Sequence, residues 1–312
     1  MQIPFVTEIS RAQTVLIAGA GGGFDIASGI PLYFWLRGLG KQVVLGNLSF
    51  SALAFTDSEE ICPDTYRIRE TPCEVNYFPE KRILEWLRDK DEWPEMYGFS
   101  SGMGVLPLRH AYSEIIQRHN VDAVLLVDGG TDSLMSGNES KVGTIVEDAC
   151  SIVAVAGLNL QHRFLGMIGF GVEHDLNHYA CLENMAAMIR REGYLGALSL
   201  TRDMPEGKAY LEMVETLNQT IPSHPSIVTN SIASAMQGQF GDFHATRRTK
   251  GSAQFISPLM SLYWFFNLDE VARQIHFAAA LENTETIHDV VQAFLKYRMT
   301  HPRRAHRAIP LE

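Results

Sequence analysis

Three short runs in this 312-residue sequence combine glycine with carboxylates, and each follows an aliphatic run. The first is Gly19-Ala20-Gly21-Gly22-Gly23-Phe24-Asp25, after Thr14-Val15-Leu16-Ile17-Ala18. Glycines there permit a tight turn and close approach of backbone amides, and the start of a following helix favours an anion. Gly19, Gly21, Gly22 and Gly23 are therefore expected to receive a phosphate or carboxylate. Asp25 stands where that anion would approach, so it is expected to meet it across a metal ion, or to contact a sugar hydroxyl or amine.

The second run is Asp128-Gly129-Gly130-Thr131-Asp132-Ser133. Two carboxylates four positions apart on a glycine turn suit Mg²⁺, held through oxygens and water, or an acid/base pair. Asp128 and Asp132 are thus candidate catalytic and metal-binding residues, with Gly129, Gly130 and Thr131 as ligand contacts. The structural alternative is ordinary turn chemistry, with Asp128 capping the turn and Asp132 solvated. Downstream, Ser136-Gly137-Asn138-Glu139 adds a carboxylate and an amide.

The third run, Gly171-Val172-Glu173-His174-Asp175, offers Glu173 and His174 as a general base or sugar-hydroxyl contact and Asp175 as a helix N-cap. His174 and His178 have i, i+4 spacing, but H-E-x-x-H is absent, so zinc is not expected. A cationic run, His244 with Arg247, Arg248 and Lys250, could neutralise a phosphate, or it could guard an edge strand against pairing.

Known motifs fit these runs imperfectly. Gly19-x-Gly21 matches the dinucleotide fingerprint, but Phe24 replaces its third glycine. The next apolar run ends in Asn47-Leu48-Ser49, which leaves Asn47 as a ligand contact and no acid for a ribose; this counts against NAD. Gly98-Phe99-Ser100-Ser101-Gly102 matches G-x-S-x-G, yet residues 91–97 do not read as the strand that a nucleophile elbow needs. No P-loop occurs.

The elements that must position these runs alternate. Strands are expected at 14–18, 42–48, 122–128, 163–170 and 195–200, and helices at 26–39, 81–90, 106–119, 143–157 and 176–192. Beyond 205, helices are expected at 208–217, 225–237, 268–281 and 284–297, with Ser223, Asn267 and Asn283 as caps and an edge strand at 242–246. The aromatic run 263–266 would suit core packing, a subunit interface or a base pocket. Residues 51–104 read as an irregular excursion with a helix and an edge strand near 74–78. The fold class is therefore α/β: a doubly wound, mostly parallel Rossmann-like sheet (1–204) with a helical C-terminal portion (205–312) in one domain. In such a sheet the three acidic runs emerge together at the carboxyl ends of the strands.

Composition narrows the function. Lys and Arg total 26 against 36 Asp and Glu, a formal net charge of -10, so a general nucleic-acid binder is not expected. The basic tail at 301–307 reads as a solvated end. The longest nearly uncharged stretch, 255–266, is shorter than the roughly 20 residues that span a bilayer. Cys62, Cys73, Cys150 and Cys181 form no C-x-x-C pair and no secretory signal is evident, so free thiols and a cytoplasmic location are expected.

The set Gly21-Gly22-Gly23-Phe24-Asp25, Asp128-Gly129-Gly130-Thr131-Asp132 and Phe243-His244-Ala245-Thr246-Arg247 resembles an archaeal and bacterial domain-of-unknown-function family over most of the chain. That resemblance implies no particular chemistry. From the residues, the expectation is an enzyme that hydrolyses or transfers a group on a phosphorylated, nucleotide-like or sugar-like small molecule, with Mg²⁺ as the expected ion. The alternatives are a non-catalytic small-molecule sensor in the same crevice and an NAD(P)-dependent oxidoreductase. A homo-oligomer is compatible with the aromatic run.

Overall fold

The computed structural model describes residues 2–69, 75–173 and 176–309. The first half contains α1 (Pro4–Ile9), β1 (Thr14–Gly19), α2 (Asp25–Gly38), β2 (Gln42–Ser49), β3 (Glu59–Cys62), β4 (Thr65–Arg67), α3 (Pro79–Arg88), β5 (Met96–Ser100), α4 (Val105–His119), β6 (Ala123–Gly129) and α5 (Ile145–Ala156). The second half contains β7 (His162–Ile168), α6 (His178–Arg190), β8 (Tyr194–Ser199), α7 (Pro205–Thr220), α8 (Ile227–Met236), β9 (Leu262–Asn267), α9 (Leu268–Gln274), α10 (Ala278–Leu281) and α11 (Ile287–Thr300).

One sheet runs through the molecule in the order β3-β4-β5-β2-β1-β6-β7-β9-β8. Its centre, β5-β2-β1-β6-β7, is parallel, and antiparallel pairs extend it on both sides. Parallel strands covered on both faces must be apolar along their whole length, and β1 and β6 are buried at every residue. One core cluster joins α4, α5 and α9 to one face of the sheet, and a second joins α1, α2, α3 and α7 to the other. The chain winds from β1 outward to β2 and β5, then returns to lay β6 on the other side of β1. The order therefore reverses between β1 and β6, and at such a point the crevice at the carboxyl ends of the strands is open to a ligand.

The α/β class and the parallel centre hold, and several local expectations do not. Residues 96–100, expected to be irregular, form β5, which pairs with β2 from Leu45↔Met96 to Ser49↔Ser100. Burial between two neighbours overrides the weak strand preference of a glycine-containing run. Ser100 therefore does end a strand before a turn and α4. Its hydroxyl accepts from Gly102 N at 3.4 Å and bonds no histidine among the described residues.

The strand expected at 242–246 is absent; only an isolated Gly241↔Ile256 bridge occurs there. Asp242 instead bonds Gln254 N (2.9 Å) and lies 3.2 Å from His244, local bonding that competes with a ladder. The alternating run at 74–78 forms no strand over its described residues, 75–78. The outer hairpin is β3-β4.

Residues 263–266 belong to β9, inserted antiparallel between β7 and β8, so the C-terminal part completes the sheet. Phe265 is buried against Phe5 with ring centroids 3.8 Å apart, which makes this run core and not a base pocket. Asn267 caps α9 as expected. Ser226, not Ser223, caps α8, and Thr286 with Asp289 forms the capping box of α11 in place of Asn283. The helix expected at 268–281 is divided into α9 and α10. Cys62, Cys150 and Cys181 are free, and Cys73 lies outside the described residues. No described helix is long and apolar enough to cross a membrane.

Candidate functional site

At the reversal point the loops after β1 and β6 enclose a cavity of about 380 Å³. It is lined by Gly21, Gly22, Gly23, Phe24, Asp25, Asp128, Gly129 and Asp132 from those loops. Thr144, Glu147 and Asp148 enter from the start of α5, Glu173 from the loop after β7, and Phe50 and Tyr77 from the β2 side. Arg248 is the cation among the described lining residues.

Asp25 opens α2 and bridges the two loops. Gly21 N donates to its Oδ2 at 2.7 Å and Gly129 N to its Oδ1 at 3.2 Å. Two further loop amides turn inward as well: Ala20 N donates to Val127 O (2.8 Å) and Gly23 N to Leu48 O (3.0 Å). The expected cradle of amides is thus used by the chain itself, and the helix N-terminus already carries the Asp25 carboxylate. Gly22 (φ +93°) needs its left-handed backbone, and a methyl there would lie 2.5 Å from Leu48 O. Gly19 lies inside β1, where its missing side chain admits the Asn47 amide. Asn47 donates to Gly23 O (2.8 Å) and to Glu80 Oε1 (2.7 Å), so it shapes the glycine loop from below.

Asp128 ends β6 and is buried, its Oδ2 accepting from both the amide and the hydroxyl of Ser133. Asp132 accepts from Thr144 N (2.8 Å) and Thr144 Oγ1 (2.6 Å). Glu173 accepts from Thr131 N (3.1 Å) and Thr131 Oγ1 (3.3 Å). Gly130 lets Glu173 approach, since a methyl there would lie 1.8 Å from Glu173 Oε1. His174, the other residue expected at this loop, lies outside the described residues, as does Asp175.

Two acids come from a place the sequence reading passed over. Asp148 and Glu147 sit in the first turn of α5, and Asp148 is buried. The signal was available: Asp148 falls on the face shared by Ile145, Ala149 and Ile152, where a carboxylate is costly unless it has a task. Asp25, Asp128 and Asp148 each offer a carboxylate oxygen, and these oxygens lie within 4.8 Å of one another. Asp148 Oδ1 has no hydrogen-bond partner. The tightest set is therefore Asp25, Asp128 and Asp148, with Asp132 and Glu173 beside it.

Burial dominates the electrostatics. It pushes the Asp25 carboxyl up to about 7, the Asp132 charge adds to this, and the amides of Gly21, Gly129 and Gly22 oppose it. Asp128 is raised well above the usual carboxylate range by burial, then by Asp132 and Asp25, and Asp148 by burial, then by Asp132, Asp128 and Asp25. Glu173 rises for the same reasons, with the Thr131 amide opposing, and Glu147 rises through burial. Acids crowded in a poorly solvated cavity cannot all be ionised unless a cation joins them.

Other expected contacts lie elsewhere: Gly19, Asn47, Gly130 and Thr131 are not among the residues lining this cavity. Arg247 lines a neighbouring cavity and not this one. Glu139 is buried against Arg304, with Ser136 N, Gly137 N and Asn184 Nδ2 also donating to it. The basic tail thus carries a clamp at Arg304 and is not simply a solvated end.

Fold and site define a Rossmann-type α/β protein with an acid-lined cavity at the reversal of its strand order. The chain belongs to the family described as "Protein of unknown function (DUF1152)", which matches residues 75–301. That span carries Asp128, Asp148 and Glu173 and begins after the glycine loop. No curated protein and no solved structure matches the chain.

Proposed function

We propose that the acid-lined cavity binds a divalent cation, Mg²⁺ by the nature of its ligands, and hydrolyses or transfers a group on a phosphorylated or nucleotide-like small molecule. The observation that carries this reading is the convergence of Asp25, Asp128 and Asp148 within 4.8 Å, in a buried site where Asp148 Oδ1 has no protein partner. An all-oxygen donor set suits a hard cation. Such an ion supplies charge neutralisation at a phosphoryl oxygen and lowers the pKa of bound water.

The chain's own residues do the rest. Asp25 locks the two loops together, and Asp132, held by Thr144, adds charge at the cavity wall. Glu173, oriented by Thr131, is placed to accept the proton of an attacking water or hydroxyl. Arg248 offers a cation to an anionic group at the mouth. Phe50, half exposed, and Tyr77 present an apolar wall to a ring or sugar.

The test is a thermal-shift panel of nucleotides, dinucleotides and sugar phosphates, each with and without Mg²⁺, followed by product analysis of the hits. A ligand at about 100 times its Kd stabilises a fold by roughly 2.7 kcal/mol, a shift of several degrees. Stabilisation that needs both phosphate and metal, with turnover lost in Asp128→Asn, is the expected result. Tight binding with no turnover would make the protein a sensor. A phosphorylated ligand bound equally well in EDTA would remove the cation from the reading.

A further inference from the structure

Next to the acidic cavity, across Arg248, lies a second cavity of opposite character. It has a volume of about 500 Å³ and is lined by Asn218, Ser223, Asn230, Thr246, Arg247 and Arg248 together with prolines and an alanine. No carboxylate is among its described lining residues. The chain carries a formal net charge of -10, so two adjacent arginines facing a carboxylate-free cavity go against its overall charge.

Arg247 is exposed, and its guanidinium bonds no described protein group. Arg248 is oriented by one neutral acceptor, Pro225 O, at 3.1 Å. The lining also carries hydrogen-bonded polar side chains. Asn218 and Asn230 exchange amide bonds at 2.8 and 3.0 Å, and Asn230 also donates to Ser226 O at 2.8 Å. The Thr246 hydroxyl is buried with no partner.

We infer that this second cavity is an anion subsite for a phosphate group. Two guanidinium groups lining one cavity supply fork-shaped donors that match tetrahedral oxyanions, and the Asn218 amide keeps one N–H beyond its bond to Asn230. Arg248 lines both cavities, so an anion held here lies one side chain away from the acid cluster. The phosphate has two sources consistent with this chemistry: a free phosphate ion, or the distal phosphate of a substrate whose reacting group lies among the acids. Only the second source rests on the proposed function; the subsite itself does not.

The experiment titrates the full chain with inorganic phosphate in EDTA, followed by calorimetry. Saturable binding is expected, weakened roughly tenfold or more in Arg247→Gln, since a charged hydrogen bond is lost. Arg247 is exposed, so this variant should fold. No saturation at millimolar phosphate, or equal affinity in wild type and Arg247→Gln, would overturn the inference.

A second arm adds Mg²⁺ and compares a nucleoside diphosphate with the monophosphate. Selective weakening of the diphosphate by Arg247→Gln would identify the distal phosphate of a substrate as the ligand. No selective weakening, with inorganic phosphate still bound, would identify the free ion. Phosphate binding in EDTA alongside no Mg²⁺ binding would leave this subsite standing and remove the cation reading of the acid cavity.

Discussion

Gly21 and Asp148 are packed so closely that a methyl on Gly21 would lie 2.9 Å from Asp148 Oδ2 and 3.1 Å from Asp25 Oδ2. The absent side chain makes room for two carboxylates from opposite sides of the reversal point. Gly21→Ala should therefore leave the sheet intact while displacing both acids. Affinity for Mn²⁺, used as a probe for Mg²⁺, should fall roughly tenfold to a hundredfold, the usual cost of disturbing groups that orient metal ligands. Calorimetric titration reads this directly, and wild-type affinity in the variant would separate Gly21 from cation binding.

Asp148→Asn should stabilise the protein when no cation is present. The carboxyl is pushed up by burial and then by Asp132, Asp128 and Asp25, so a neutral amide relieves repulsion in the cluster. The melting temperature in EDTA at about pH 8 should rise by a few degrees, and the added stabilisation by Mg²⁺ should disappear. A lower melting temperature in EDTA would mean that the carboxylate is structural.

The pH dependence of the cation-free protein has a definite sign. Asp25 and Glu80 are both raised to about 7, chiefly by burial. Between their ordinary values and about 7 the folded state holds protons that the unfolded state releases. The stability they support is therefore complete below the ordinary carboxylate range and is lost as pH rises through about 7. Melting temperature in EDTA should increase from about pH 8 to about pH 5, and saturating Mg²⁺ should flatten that slope. A cation-free protein with flat or opposite dependence would argue against the crowded acids.

Glu80 tests the support beneath the glycine loop. It is fully buried, accepts from Asn47, and leaves its other oxygen without a partner. Glu80→Gln keeps the acceptor and should change stability little. Glu80→Ala strands the Asn47 amide and should cost about 1–3 kcal/mol, read by urea unfolding. Equal losses in both variants would show that the charge, not the hydrogen bond, matters.

Arg304 clamps the loop that follows Asp132. It bonds Glu139, Asn138 Oδ1 (2.8 Å), Asn184 Oδ1 (2.8 Å) and Glu183 (2.8 Å). Burial alone would raise the Glu139 carboxyl, but Asn184, the Ser136 amide and Arg304 outweigh it and hold the carboxyl low. Its contribution is therefore present above the ordinary glutamate range and is lost as pH falls. Arg304→Ala leaves a buried carboxylate short of its cation, and a loss of about 2–4 kcal/mol is expected in denaturant unfolding. Wild-type stability would show that the amides suffice.

Much of the architecture was legible because burial leaves a periodic trace. The runs at 15–18 and 123–127 are apolar throughout because β1 and β6 are covered on both faces. The glycine and aspartate runs after them mark where the chain leaves the sheet. Asp148 leaves its trace as a carboxylate on the apolar face of α5, inside a helix and away from the glycine loops that mark the other acids. β5 was harder, since its glycine-containing run gains its strand character from neighbours in the sheet, and β9, rich in aromatic strand formers, owes its place between β7 and β8 to tertiary packing.

The sequence by itself determined that the chain alternates strands and helices and that Asp25, Asp128, Asp132 and Glu173 lie at or just beyond strand ends. Local period and turn chemistry depend only on nearby residues. Tertiary structure alone decided that Asp25, Asp128 and Asp148 share one cavity, that Arg247 faces a different one, and that the amides of Gly21, Gly23 and Gly129 are used internally. Those relationships depend on which strands lie side by side and how α5 packs across them. Such long-range pairing is set by burial of the whole sheet, and no local spacing encodes it.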